Sequence, residues 1–156
     1  MKRLKLTSFV LLALAVLAFP AASTAGEKTA VGPNFNMFGQ QTDLAAGTAF
    51  HILLGWEGLS PDLDAIGHFS WSLDVDGTPQ AADFHVFGPS PIVNGTLVRA
   101  WFWNFPDGMS AGIHTFVAHG FTPCYFAVSS FAYPGPCSDP NATVEAVTVS
   151  RTVTFS

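Results

Sequence analysis

Basic residues are scarce in this chain, and half of them sit at one end. Of six Lys and Arg, Lys2, Arg3 and Lys5 fall at the very start, leaving Lys28, Arg99 and Arg151 to face eleven Asp and Glu. Nucleic-acid binding needs clustered Lys and Arg to neutralise phosphates, so nucleic acid is excluded as a partner. Cysteine is scarcer still, with only Cys124 and Cys137, and neither C-x-x-C nor H-E-x-x-H is present to hold zinc. No G-x-S-x-G elbow, S-x-x-K or glycine-rich phosphate loop occurs. The chain is therefore expected not to be an enzyme and to need no cofactor. A small secreted hydrolase with an unrecognised site remains a secondary alternative, because carboxylates distant in sequence leave no motif. After residues 9–19 no long apolar run follows, so no transmembrane span is expected beyond it.

That first apolar run belongs to a three-part leader, "MKRLKLTSFVLLALAVLAFPAASTAG". A basic start, a short apolar stretch and small residues, with Ser23 and Ala25 at −3 and −1, form a secretory signal peptide. Cleavage after Ala25 is expected to leave residues 26–156 as one domain, extracellular or periplasmic, with a formal charge of −8 from three bases and eleven acids. In an exported chain an even pair of cysteines predicts a Cys124–Cys137 disulfide. Closing a loop of that size stabilises by about 3 kcal/mol in the chain-entropy account. The enclosed "YFAVSSFAYPGP" is either a stapled excursion between strands or a ligand-contacting loop that carries Tyr125 and Tyr133.

Short β-rich runs separated by turn signals fill the rest, with almost no helical periodicity. "TAFHILLGW" places Phe50, Ile52 and Leu54 on one face, and "HFSWSLDV" does the same for Phe69, Trp71, Leu73 and Val75. "VDGT" is a strong hairpin signal, and "ADFHVFG" is expected to return from it as an edge strand, with Pro79 just after the turn. "GTLVRAWFWNF", "IHTFVAHGF" and "ATVEAVTVSRTVTFS" supply further strands, and "NFNMFG" a weak early one. The pattern predicts an all-β fold, an antiparallel β-sandwich of about seven strands.

"FSWSLDVDGTP", then "MSAGIHTFVAHG", then a closing Val/Thr strand, resembles exported bacterial immunoglobulin-like modules, of which PKD and CARDB-type adhesion domains are the nearest named. The likeness spans residues 47–156. It implies an immunoglobulin-like fold, an extracellular setting, and a binding or structural role by fold analogy.

His114 and His119 are five residues apart, so on a regular strand they point to opposite faces and cannot hold one ion. His114 stands where related sandwiches carry a corner tyrosine, which predicts a hydrogen-bonded structural histidine. Ser72, Asp74, Asp76 and Asp83 can be laid over a calcium loop, but Pro79 and the lack of flanking helices favour the hairpin. Whether Asp62, Asp64, Asp74 and Asp76 gather as a looser calcium site stays open. In "LVRAWFWNF", Val98, Ala100 and Phe102 share one face, and Leu97, Arg99, Trp101, Trp103 and Phe105 the other. An arginine marks the second face as a candidate for solvent, a strip that would anchor a protein or stack on a polysaccharide. The alternative is a covered face, with both tryptophans in the core. Sequons occur at Asn94 and Asn141.

Overall fold

In the strand Ser70–Val75 the alternation of Trp71, Leu73 and Val75 with Ser70, Ser72 and Asp74 translates directly into a buried and a half-exposed side. The computed structural model describes residues 29–41, 43–59, 68–89, 95–131 and 135–156. Within them the chain forms β1 (Asp43–Leu44), β2 (Phe50–Leu59), β3 (Ser70–Val75), β4 (Thr78–Gln80), β5 (Phe84–Pro89), β6 (Thr96–Phe105), β7 (Gly112–Pro123), the short helix α1 (Cys124–Ser130) and β8 (Thr143–Phe155). The leader, Asp62, Asp64, Asn94 and Tyr133 lie outside the described residues.

The strands make two sheets, ordered β1-β8-β7-β3-β4 and β2-β6-β5. All their pairings are antiparallel except β1 with β8. The sheets pack on one aromatic core. Phe50, Ile52, Leu54 and Trp56 of β2 meet Trp71, Leu73, Phe116, Val153 and Phe155 from the other sheet. Trp56 stacks on Trp71 with ring centroids 5.1 Å apart, and Phe69 and Phe131 abut Trp56 edge-on. Gly120 of β7 makes room for that stack. A Cβ there would stand 2.5 Å from Val147 Cγ1 and 3.0 Å from each of the two tryptophan rings, closer than packed atoms sit.

Asp76 and Gly77 form the two-residue β3–β4 loop, and both have positive φ, 52° and 75°. That is the type I′ geometry for which Asp-Gly is suited. The return strand departs from expectation. Pro79 sits on β4, which stops at Gln80, and "ADFHVFG" crosses to pair with β6 in the opposite sheet. Phe84 stacks flat on Phe102 there, at 4.4 Å, so the aromatic cross-strand pair holds β5 in the second sheet. The early "NFNMFG" run makes only an isolated bridge, Asn34 to His51, although Phe35 and Met37 are buried. The closing Val/Thr segment is one strand with a register irregularity opposite Gly120 and Phe121. α1 was not legible in the sequence. It begins at Cys124, which is bonded to Cys137 as expected, with Cα atoms 5.8 Å apart.

Candidate functional site

Register decides what surrounds the tryptophans of β6. Arg99 lies opposite Trp56, Trp101 opposite Leu54, and Trp103 opposite Ile52, so all three share the core-facing side of the sheet. Trp101 is 8 % exposed and Trp103 2 %, and the Trp103 indole N–H donates to the Gln80 carbonyl at 3.1 Å. The open tryptophan strip expected as one alternative is absent here, and the covered alternative holds. An arginine was a poor marker of solvent because its long apolar stem can follow the core while the charged end reaches outward. The Arg99 guanidinium lies 5.0 Å from the Trp101 ring. Arg151 behaves alike, facing inward with its guanidinium 5.7 Å from the Phe35 ring and bonded to the Gln41 carbonyl.

The same register continues into β5, where His85 pairs with Trp101 and Phe87 with Arg99. These four side chains therefore stand on one side of the sheet, but burial divides them. Trp101 is covered, whereas His85 is exposed and Phe87 is 54 % exposed. The opposing sheet ends in β4, only three residues long, which leaves the β5 side uncovered. The result is a shelf with Trp101 and Arg99 behind, and His85 and Phe87 at the rim. The His85 and Trp101 rings are near-parallel at 6.5 Å. The sequence signal for this rim was available in "FHVFG", which puts an aromatic residue on each face of one strand.

Tyr125 is exposed at 44 %, with Val128 beside it on the outward side of α1. The helix rests on β7 and β8 and inserts Phe126 against Phe69 at 4.7 Å. The structure thus does not build Tyr125 into the β5 shelf.

Two polar clusters involve histidines of β7, and the sequence named the partners of neither. The His114 Nδ1 lies 2.7 Å from the Asp76 carboxylate, and its Nε2 lies 3.1 Å from the Ser110 carbonyl and 3.3 Å from the Ser110 hydroxyl. The carboxylate and the carbonyl only accept, so both ring nitrogens donate and the imidazolium fits this position. The bond to Asp76, and then that to Ser110, hold the His114 pKa above its ordinary value. The Thr115 backbone N–H, then His114, hold Asp76 below its own. Asp, His and Ser in series have the outline of a hydrolytic triad, but a general base needs a free lone pair on Nε2. Here that nitrogen carries the proton given to the Ser110 carbonyl. The group is a clasp between the β3–β4 turn and the start of β7, the structural role expected of His114.

On the opposite face of β7, His119 lies 2.8 Å from Glu145 and 3.7 Å from Asp74. The Thr148 hydroxyl donates to Glu145, and this bond, then the one to His119, lowers the Glu145 pKa. Asp74 and Asp76 are thus drawn to different histidines on different faces. Among the described residues no three His, Cys, Asp or Glu gather as metal ligands. His51 is turned to the Val31 and Gly32 carbonyls, and His68 and His85 are exposed elsewhere. Comparison with protein families, with curated proteins and with solved structures finds no match to this chain.

Proposed function

We propose that this chain is an exported, non-catalytic interaction module on an immunoglobulin-like sandwich, meeting a protein partner along β5 and the shelf behind it. The strand orders support the fold: β8-β7-β3-β4 corresponds to G-F-C-C′ and β2-β6-β5 to B-E-D, with β1 as a short first strand beside β8. His114, near the start of β7, bonds the backbone four residues upstream, as a corner tyrosine does in such domains. The disulfide departs from the usual link between sheets and closes the β7–β8 excursion instead. It fits an oxidising compartment, in keeping with the leader.

The observation that carries the reading is Phe87, a large aromatic side chain left 54 % exposed on an edge strand that bears no charged residue, in a strongly acidic chain. Exposed edges are usually guarded by charge or bulges, and β5 has only Pro89 at its end. Burial of Trp101 and Trp103 removes the flat platform on which a polysaccharide would stack, so a protein partner is favoured. Retention of the exported protein on panels of immobilised extracellular proteins and insoluble polysaccharides, with wild type beside Phe87→Lys, tests this. Retention on protein that Phe87→Lys abolishes is expected. Retention on polysaccharide alone, unchanged in Phe87→Lys, overturns it.

A further inference from the structure

β5 carries the sequence Phe84-His85-Val86-Phe87-Gly88-Pro89 and, among the described residues, pairs on one side only, with β6. The other edges are less open to pairing. β1 is two residues long and includes Asp43, and β4 is three residues long with Pro79 at its centre. β2, the far edge of the three-stranded sheet, is already bonded at its start to the Pro33 and Phe35 backbone and carries Glu57. In a chain with a formal charge of −8 after the expected cleavage, β5 itself carries no Asp or Glu to repel another copy.

We infer that β5 is completed by β5 of a second copy of this chain, antiparallel across a two-fold axis, making one continuous six-stranded sheet. The inference rests on the reading of β5 as a contact edge and names the occupant. An isologous contact requires the strand to be complementary to itself, and the register centred on Val86 meets that demand. It sets Val86 against Val86, His85 against Phe87, and Phe84 against Gly88. A Cβ built on Gly88 would meet nothing within 4 Å, so there is open space to receive the Phe84 ring. His85 and Phe87 are the two exposed rings of the strand, and each would cover the other across the axis. Shifting the centre to Phe87 would bring Pro89 into the ladder opposite His85, where its missing N–H leaves a carbonyl unpaired. The Val86 register leaves Pro89 outside.

Sedimentation velocity of the exported protein from micromolar up to about 1 mM, the weak end of useful affinity, tests the pairing. The mean mass should rise from one chain toward two. Phe87→Lys, at an exposed position that leaves the core intact, should weaken association by about tenfold or more. Val86→Cys should form a covalent dimer on mild oxidation, because directly opposed residues hold their Cβ atoms about 4.5–5.5 Å apart. A single-chain mass at every concentration overturns the inference. So does a dimer that Phe87→Lys leaves intact and Val86→Cys fails to cross-link. Monomeric wild type that still binds other proteins through Phe87 removes the second copy but leaves the wider reading standing. Loss of that Phe87-dependent retention removes both.

Discussion

On the five-stranded sheet, the residues turned away from the core are mostly polar: Thr148, Ser150, Thr152 and Thr154 of β8, Thr115 and His119 of β7, and Ser70, Ser72 and Asp74 of β3, with Ile113, Val117 and Phe121 of β7 among them. On the three-stranded sheet the corresponding side holds Leu53, Phe84, Val86, Val98, Ala100 and Phe102, with the last three buried. The first sheet is hydroxyl-rich outside and apolar inside, the usual economy of an antiparallel sheet with one wet face. The second carries an apolar patch on its outer side too, between His51 and Asn104 at one end and Glu57 and Thr96 at the other, and β6 buries Ala100, Trp101, Phe102 and Trp103 in succession. Such a strand carries no alternation from which to tell inside from outside. A single substitution should therefore weigh very differently on the two sheets, and the tests below are ordered by that weight.

The largest effect is expected inside the three-stranded sheet. Trp103→Ala removes a ring that is almost wholly buried and its bond to Gln80, and should cost about 3–5 kcal/mol. That approaches the whole stability of many domains this size. Trp101→Ala, beside the open shelf, should cost less. Chemical denaturation measures both, and a loss under about 1 kcal/mol at Trp103 would return the strip to solvent.

The next test pits the outward faces against each other. Phe102→Ala should cost about 3 kcal/mol, since its ring is buried and stacked on Phe84. Thr152→Ala, at an exposed site on β8, should stay within about 0.5 kcal/mol. Similar losses from the two would erase the distinction between the sheets.

The smallest effect belongs to the clasp at the edge of the polar sheet. The His114 pKa is raised by folding, so its contribution is complete below the ordinary 6.5 and fades as pH climbs through the folded value. Asp76 is lowered, so its contribution is complete above the ordinary 3.8 and fades as pH falls through the folded value. The stability difference between wild type and His114→Gln should thus be greatest between pH 3.8 and 6.5 and shrink on either side. Solvent screening at the half-exposed Asp76 carboxylate limits it to about 1 kcal/mol. Thermal unfolding across pH reads it, and a flat difference would mean that His114 acts only by packing against Phe155, 5.5 Å away.

What could be read in advance follows this contrast. Phe50, Ile52 and Leu54, and Trp71, Leu73 and Val75, were each grouped on one face, and the structure buries each group together, because the period of two is visible in those runs. The Asp76–Gly77 turn was legible for a local reason, as few residue pairs accept positive φ twice in succession. The side taken by Arg99 was not, because Val98, Ala100 and Phe102 offered an equally apolar alternative. The clasp was half-visible: His114 was expected to be bonded, but its partners were not named, since Asp76 lies 38 residues away in the chain.

The sequence by itself determined the β character, the position of the hairpin turn, the inward residues of the one-sided strands and the cysteine pairing. Each depends on residues close together in the chain or on a count of possibilities that leaves one. Only the tertiary structure decided that β5 leaves the hairpin for the other sheet, that Trp101 and Trp103 lie beneath cover while Phe87 does not, and that α1 fits inside the closed loop. These outcomes depend on which distant surface is free to receive each side chain. A strand with aromatic residues on both faces satisfies local preference either way, and packing against remote neighbours chooses between them.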